Sequence, residues 1–384
     1  MGEETPGDLA GLTADAVAAV FESTEPFTVG LEEEVMLLDP GSLDLRPCAT
    51  EVLERLGDDR RFKGELPASQ VEILTEPTTS VVEAIAALAR ARADLAAACE
   101  GLALPAVAAV HPFAAAEGEL RDAPRYEATR SEYGSVARRQ LVASLQVHVA
   151  VGGAERTLWV YNQLRDRLPE IAALAANGAI YGGRDTGLAS VRPKIAETLP
   201  RQGLPPAIAS WEGFARELRW GAAAGVLNEP GLWWWELRPH IGFGTLEVRV
   251  PDAQTTIGDA GAIAALVQAM VAWLAERDSV AASGDPVPDW RIEENRWSAA
   301  RHGVEGRMAD LESGESEPTR ERLHRLLDRL GPIGERLGTS AQFDQASRLV
   351  ERNGAIRQRE LFEREGAERV ASELAERFCD LGRR

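Results

Sequence analysis

The stretch from Phe27 to Asp39, FTVGLEEEVMLLD, constrains the fold more than any other part of the chain. Its apolar residues recur at every second position, as in a β-strand with one buried face, and Glu33 is the exception on that face. Glu32 and Glu34 share the opposite face, because side chains two residues apart on a strand point the same way. Like charges this close repel each other unless a cation lies between them or one is protonated. The pair therefore predicts half of a metal site, and the alternative is a solvated face of an antiparallel strand.

The composition narrows the classes of protein to which the chain can belong. It has 384 residues, of which 45% are hydrophobic, enough for a substantial core. The formal net charge of -19 argues against nucleic acid as a partner, since phosphate binding needs a basic face. The three cysteines are far apart and odd in number, which predicts a reducing compartment, the cytoplasm. No apolar run is expected to be long enough to cross a membrane, and the acidic N-terminus lacks the regions of a signal peptide.

Three further stretches show the same alternation of apolar and polar residues. Residues 70–75 and 141–151 each have one apolar face, and residues 232–250 have the pattern of a hairpin around a glycine-containing turn. Together with the first stretch they predict an antiparallel sheet that packs its apolar face on helices and curves around an ionisable face. The polar positions on that face are Glu32, Glu34, Gln70, Glu72, Gln146, His148, Glu236, Arg238, Glu247 and Arg249.

The predicted architecture is α+β, a curved and mainly antiparallel sheet flanked by helices and followed by a helical C-terminal layer. Residues 1–12 are expected to form a mobile tail, 13–258 the sheet-containing core and 259–384 the helical portion, all in one catalytic domain. Residues 105–110 are predicted as a short strand, 114–134 as a loop or short helix near the site, and 283–289 as a linker. Helices are predicted over 13–22, 49–56, 81–99, 154–176 with a break at Pro169, 211–224, 259–276, 293–311, 318–337, 339–352 and 356–379.

The residue types on the ionisable face predict the chemistry of the site. Clustered carboxylates suit a hard cation such as Mg2+, which takes oxygen ligands and keeps contacts with substrate phosphates. Arginines supply bidentate partners for a phosphate or a carboxylate. Zinc fits less well, because the face offers one histidine and no cysteine. The glycine-rich stretch from Asn177 to Arg192 lacks the pattern of a P-loop.

Five motifs in order carry a resemblance to a known family. They are TVGLEEEVMLLD, GELPASQVEILTEP, SLQVHVAVG, GRDTGLASVR and ELRPHIGFGTLEVRVPD, between about residues 28 and 252. Together they resemble the glutamate–cysteine ligase family, and most closely its type 2, YbdK-like carboxylate–amine ligases. The resemblance implies a half-open barrel or funnel of antiparallel strands, as in glutamine synthetase and glutamate–cysteine ligase. It also implies that ATP phosphorylates a carboxylate, typically the γ-carboxylate of glutamate, and that an amine attacks the acyl phosphate to form an amide.

The resemblance also implies roles for individual residues. Magnesium, or manganese in its place, would be held by Glu32, Glu34, Glu65, Glu72 and Glu247. The catalytic candidates are Arg238, Arg249 and His148, and the candidates for binding ATP or substrate are Gln70, Arg184, Arg192 and Arg238. Glu33 departs from the family pattern, which usually has an apolar residue at this position. The implied partners are small molecules. The charge-rich C-terminal helices could form the interface of a homodimer, and the alternative is that they are solvated, as such helices more often are.

Two other classes of function stay open from the residues alone. A metal-dependent amide hydrolase could use the same carboxylates and His148 with a bound water. A non-catalytic relative could hold a nucleotide or an amino acid without turnover. Clustered carboxylates without a use carry a repulsive cost, which argues against the second alternative.

Overall fold

Seven strands of the computed structural model form one antiparallel sheet, and the structure describes residues 9–227, 229–277 and 286–382. The strands of this sheet are β1 (Val29–Leu38), β2 (Phe62–Gly64), β3 (Gln70–Leu74), β4 (Leu104–Ala106), β5 (Leu145–Ala150), β8 (Leu237–His240) and β9 (Thr245–Val248). Their order is β2–β3–β1–β5–β9–β8, and β4 pairs with the C-terminal end of β1. Two small hairpins lie outside the sheet, β6 (Ile180–Tyr181) with β7 (Arg184–Asp185), and β10 (Arg307–Ala309) with β11 (Ser316–Pro318).

Helices cover the apolar face of the sheet and make up most of the C-terminal third. They are α1 (Ala14–Glu22), α2 (Ala49–Leu56), α3 (Val81–Cys99), α4 (Pro124–Arg138), α5 (Ala154–Arg165), α6 (Leu168–Ala175), α7 (Arg192–Ala196), α8 (Trp211–Ala223), α9 (Ile257–Ala275), α10 (Asp289–His302), α11 (Thr319–Arg336), α12 (Ser340–Glu351), α13 (Gly354–Glu365) and α14 (Ala367–Glu376). The α+β fold predicted from the alternating stretches is confirmed.

Helix α9 lies at the centre of the core. It is apolar on all sides, and it contacts β5 as well as α3, α5, α11 and α12. A helix without a polar face has to be buried on every side, which explains this position. By length and composition α9 could also cross a membrane, so the expectation that no apolar run was long enough is wrong. In the structure, 89% of its apolar stretch of 18 residues is buried inside the protein.

Several predicted helix boundaries are confirmed, and proline and glycine explain the breaks. Pro169 stands in the first turn of α6 and divides the predicted helix over 154–176 into α5 and α6. Gly366 has a φ of +83°, a conformation open to glycine, and it ends α13 before α14 begins. The stretch 114–134, predicted as a loop or short helix, contains most of α4.

Other expectations about chain organisation are corrected by packing. The predicted tail over 1–12 is too long, because Leu9 opens a short 3-10 helix, Leu9–Gly11, and is buried in the core against α8. Residues 1–8 lie outside the described residues, as does part of the predicted linker over 283–289. The predicted helix over 293–311 ends at His302, where Gly303 with a φ of +57° turns the chain toward β10.

A buried ion-pair partner explains why Glu33, a charged residue, interrupts the apolar face of β1. It is fully buried, and its carboxylate forms a two-pronged ion pair with Arg92 of α3, at 2.6 and 2.8 Å. The remaining N–H groups of Arg92 donate to the carbonyls of Gln254, Thr255 and Phe378. All five donors of the guanidinium are therefore used, as a buried charge requires. This pair joins β1 and α3 to the segment before α9 and to the C-terminus.

Candidate active site

The side chains at even positions of β1 and their neighbours on β3, β5, β8 and β9 form one polar face. The antiparallel register places carboxylates beside histidine, glutamine and arginine side chains on β5, β8 and β9, while Leu74 of β3 lies opposite Glu32. Since directly opposed residues have Cβ atoms roughly 5 Å apart, their polar groups are within reach of one another. The cross-strand pairs on this face are Glu34–Glu72, Glu32–Gln146, His148–Glu247 and Glu247–Arg238.

This polar face is the floor of a cavity of about 940 Å³. The volume lies in the range of pockets that enclose a small ligand. Walls are added by β2, α4, α7, residues 199–203 and residues 229–234. His148 and Glu247 are buried beneath the floor, in contact with groups that line it. The sequence-predicted residues that line the cavity are Glu32, Glu34, Glu65, Gln70, Glu72, Arg192, Arg238 and Arg249.

Glu32, His148 and Glu247 form a first cluster, whose potential ligand atoms all lie within 4.8 Å of one another. His148 Nε2 lies 3.5 Å from Glu32 Oε1 and has no hydrogen-bond partner among the described residues. Its Nδ1 lies 3.0 Å from Thr245 Oγ1, which fixes the ring. Burial raises the pKa of Glu32, but His148 and Lys63 outweigh it, so that the pKa falls to about 2. The first cluster therefore presents an ionised carboxylate next to an unpartnered imidazole nitrogen.

Glu34, Glu65 and Glu72 form a second cluster beside the first. Glu34 Oε2 accepts hydrogen bonds from the Ser144 backbone N at 2.6 Å and from Ser144 Oγ at 3.1 Å. Gln146 Nε2 lies between Glu34 Oε1, at 3.3 Å, and Glu72 Oε1, at 3.4 Å. Burial and the carboxylate of Glu65 raise the pKa of Glu34 to about 7. The pKa values of the two carboxylates of β1 thus lie far apart, because His148 and Lys63 lower the pKa of Glu32 whereas burial and Glu65 raise that of Glu34.

Two arginines, one on β8 and one just after β9, balance the negative charge of the carboxylates. Arg238 and Arg249 both form ion pairs with Glu247, and Arg249 also donates to Gln146 Oε1. Burial raises the pKa of Glu247, but Arg238 and Arg249 hold it well below its usual range. Arg238 further donates to the Gly231 carbonyl at 2.7 Å. Both guanidinium groups are therefore held in place before any ligand binds.

Arg192 and Arg184 were both predicted to bind substrate, and the structure separates them. Arg192 lines the cavity, and its Nε donates to Asp252 at 2.8 Å while Nη2 donates to the Val250 carbonyl at 2.5 Å. Arg184 lies on the exposed hairpin of β6 and β7, outside the cavity lining. The glycine-rich stretch turns away from the cavity at this hairpin, so the prediction for Arg184 is corrected.

Three residues that the sequence reasoning passed over line the cavity. Lys63 on β2 lies 2.7 Å from Glu72 Oε2, and it could have been noticed as one of two lysines in the chain. His240 also lines the cavity, and it alternates with Arg238 on β8. Trp234 lines the cavity as well, and its ring packs edge to face with that of Tyr133. The consecutive tryptophans after Leu232 divide between core and cavity, since Trp233 is buried against Phe214.

The donor set of the first cluster fits a divalent metal ion, since its potential ligand atoms lie within 4.8 Å of one another, and the carboxylates of the second cluster line the same cavity. The second cluster consists of carboxylates, the ligands that Mg2+ and Mn2+ prefer, and the first adds one imidazole nitrogen. The buried His148 Nε2 neither accepts nor donates a hydrogen bond with the described residues, whereas Glu72 Oε2 has the ammonium group of Lys63 at 2.7 Å. An unpartnered polar atom is costly to bury unless a ligand or ion uses it. The residues present therefore match a site for hard divalent ions.

Comparison with known proteins decides the family. The sequence model of glutamate–cysteine ligase family 2 matches residues 28–379. The chain belongs to this family. A Rubrobacter xylanophilus protein, provisionally named glutamate–cysteine ligase 2-3, is 39% identical over 366 residues, covering 93% of this chain and 98% of that protein. A Corynebacterium efficiens protein, provisionally named glutamate–cysteine ligase 2-1, is 31% identical over 379 residues, covering 95% and 97%.

Membership of glutamate–cysteine ligase family 2 makes this chain an ATP-dependent carboxylate–amine ligase, as the ordered motifs predicted. Solved structures with low sequence identity share the fold. A Francisella tularensis glutamate–cysteine ligase in complex with AMP superimposes with a TM-score of 0.71 at 12% identity, covering 92% of this chain and 89% of that one. A bifunctional glutathione synthetase from Pasteurella multocida gives a TM-score of 0.64 at 13% identity, covering 95% of this chain and 53% of that one.

Proposed function

We propose that this family member uses Mg-ATP to phosphorylate the γ-carboxylate of glutamate and then joins the acyl group to an amine. The first step forms a bond between a carboxylate oxygen and the γ-phosphorus and releases ADP. In the second, the amine nitrogen attacks the acyl carbon, phosphate leaves, and the nitrogen loses a proton. The amine is cysteine or another amino compound. The observation that carries this proposal is the placement of two carboxylate clusters, on and directly beneath the floor of one cavity, beside Arg238 and Arg249.

The proposed roles follow from the contacts of each side chain. Glu32, Glu34 and Glu72 would hold Mg2+ with Glu65, Glu247 and His148, and the bound ion would neutralise charge on the phosphates. Arg249 is aimed by Glu247 and Gln146, so its free N–H groups can hold charge that develops on the transferred phosphoryl group. Such fixed donors need little reorganisation during the reaction. No side-chain nucleophile is required, because the carboxylate of the substrate attacks the phosphorus directly.

Replacing Arg249 by glutamine is expected to lower kcat/KM for ligation about 100-fold, since one preorganised donor to developing negative charge is lost. The fold is expected to persist, because Glu247 keeps its ion pair with Arg238. Steady-state kinetics at varied ATP and carboxylate concentrations measures the effect. Arg184→Gln is the matched control and is expected to leave kcat and KM unchanged. Equal kinetics in the two variants would remove Arg249 from the site.

Hydroxylamine tests the proposed acyl phosphate even while the natural amine is unidentified. It is a small nucleophile that would trap an acyl phosphate as a hydroxamate. With Mg-ATP, L-glutamate and hydroxylamine, the protein is expected to form γ-glutamyl hydroxamate and ADP in equal amounts. Other dicarboxylic and amino acids in the same assay would define the carboxylate donor. ADP formation without a hydroxamate for any carboxylate would contradict phosphorylation of the carboxylate.

Removal of divalent ions is expected to abolish ADP formation, because both clusters would then lack the cation that bridges carboxylates and phosphates. The measurement is the rate of ADP release after treatment with EDTA and gel filtration. Mg2+ or Mn2+ added back should restore the rate. EDTA saturated with Mg2+ before use serves as the control. A full rate in protein shown by elemental analysis to be metal-free would contradict the metal assignment.

We also propose that the enzyme works in the cytoplasm. Cys48 and Cys99 are buried free thiols and Cys379 is an exposed one, which is compatible with a reducing compartment.

A homodimer through the helical C-terminal portion stays a proposal. Its support is the exposure of two tryptophans two turns apart on α10, Trp290 and Trp297. The molar mass in solution, measured by light scattering, tests it.

A further inference from the structure

Lys63 on β2 places a positive charge between the two carboxylate clusters. Its Nζ lies 2.7 Å from Glu72 Oε2 in the second cluster and 3.9 Å from Glu32 Oε2 in the first. The sheet register fixes this position, because Lys63 lies directly opposite Glu72 in the pairing of β2 with β3. One ammonium group therefore occupies the space that a divalent ion shared by these carboxylates would need.

We propose that Lys63 is the counter-ion of the carboxylate clusters in the metal-free enzyme, and that a divalent ion displaces its ammonium group from Glu72. The inference rests on the proposed function, since it takes Glu32 and Glu72 as metal ligands. It assigns to Lys63 the role of a counter-ion that competes with the metal ion, which differs from the ligand role proposed for the carboxylates.

The two partners differ in their freedom to move. The side chain of Glu72 is 2% exposed and rooted in the middle of β3, whereas that of Lys63 is 38% exposed on an outer strand. The ion pair with Lys63 falls outside hydrogen-bond alignment, and Glu72 Oε2 accepts no hydrogen bond from the described residues. A flexible four-carbon stem lets the ammonium swing into the cavity, while the carboxylate stays. Displacement therefore requires a change of lysine rotamer and leaves the strand backbone in place.

This exchange links metal binding to nucleotide binding. Without nucleotide, a metal ion has to break the ion pair of Lys63, so its affinity is reduced. With a triphosphate in the cavity, the displaced ammonium gains a new anionic partner, and the cost of displacement falls. Divalent ion and nucleotide are then expected to bind cooperatively.

Mn2+ binding measured by electron paramagnetic resonance tests this directly, without turnover. In the absence of nucleotide, Lys63→Met is expected to bind Mn2+ at least about tenfold more tightly than the wild type, since a competing charge within 4 Å of two carboxylates is removed. Lys63→Arg keeps the charge and should stay within about twofold of the wild type. A non-hydrolysable ATP analogue should tighten Mn2+ binding more in the wild type than in Lys63→Met.

Lys194→Met is the matched control, because Lys194 is the other lysine of the chain and pairs with Glu197 away from the carboxylates. It should leave the Mn2+ affinity unchanged. Unchanged or weaker Mn2+ binding in folded Lys63→Met, with normal binding in the wild type, would overturn the inference while leaving the proposed function intact. Failure of the proposed metal site itself would look different. The wild type would then either bind no Mn2+ or bind it with an affinity that Glu32→Gln leaves unchanged. Thermal unfolding curves establish that each variant is folded.

Discussion

Arg92→Met is expected to lower the free energy of unfolding by about 3–5 kcal/mol, the range for breaking a buried ion pair by removing one partner. Arg92 and Glu33 are both fully buried, so the variant leaves an uncompensated carboxylate inside the core. The carbonyls of Gln254, Thr255 and Phe378 lose their donor at the same time. Urea unfolding followed by far-UV circular dichroism measures the change.

Two further variants separate the ion pair from the loss of packing. Arg90→Met on the same helix is the control, because Arg90 is exposed, and it should change stability by less than about 0.5 kcal/mol. Adding Glu33→Met to Arg92→Met should recover part of the loss, since no charge then stays buried. A loss below about 1 kcal/mol in Arg92→Met would show that the pair does not join these segments as described.

Replacing Glu32 and Glu34 together by glutamine is expected to lower kcat/KM by at least about 10³-fold. Each cluster loses a carboxylate, and the loss of even one electrostatic contact to a transition state costs about 10²–10³ in rate. The amides keep the size and much of the hydrogen bonding of the side chains, so the fold should persist. ADP formation at saturating Mg-ATP and amine measures the effect, with circular dichroism as the check on folding.

The matched control removes two carboxylates elsewhere on the surface. Glu212 and Glu217 on α8 are 64% and 53% exposed at their side chains and lie outside the cavity lining. Glu212→Gln with Glu217→Gln should therefore retain full activity. Normal turnover in the variant of Glu32 and Glu34 would show that these two carboxylates do not hold a metal ion needed for the reaction.

The strands of the site could be predicted because alternation on a strand determines which side chains share a face. Glu32 with Glu34, and Gln70 with Glu72, line the cavity, as their spacing indicated, and Gln146 lines it above the buried His148. The register between strands joins these separate pairs into clusters. Register depends on turns and on packing of the apolar face, so the sequence of one strand does not contain it.

Other features depend on contacts between distant parts of the chain. The ion pair of Glu33 joins residues 59 apart, so nothing near Glu33 in the sequence indicates that its charge is compensated. Arg184 has the same local setting as Arg192, a glycine-rich stretch, but the hairpin of β6 and β7 carries it to the surface. His240 reaches the cavity through its place on β8, two residues after Arg238, and a histidine at such a position is as often structural.

The central claim is that the polar face of this sheet is the site of an ATP-dependent ligase, and amine-stimulated release of ADP tests it most directly. The assay combines Mg-ATP and L-glutamate with L-cysteine and then with a panel of other amines, with the variant of Glu32 and Glu34 as the blank. We expect ADP release that depends on an amine, disappears with EDTA and is absent in the variant. No ADP release by folded, metal-loaded protein with any amine, or equal release by the variant, would contradict the claim.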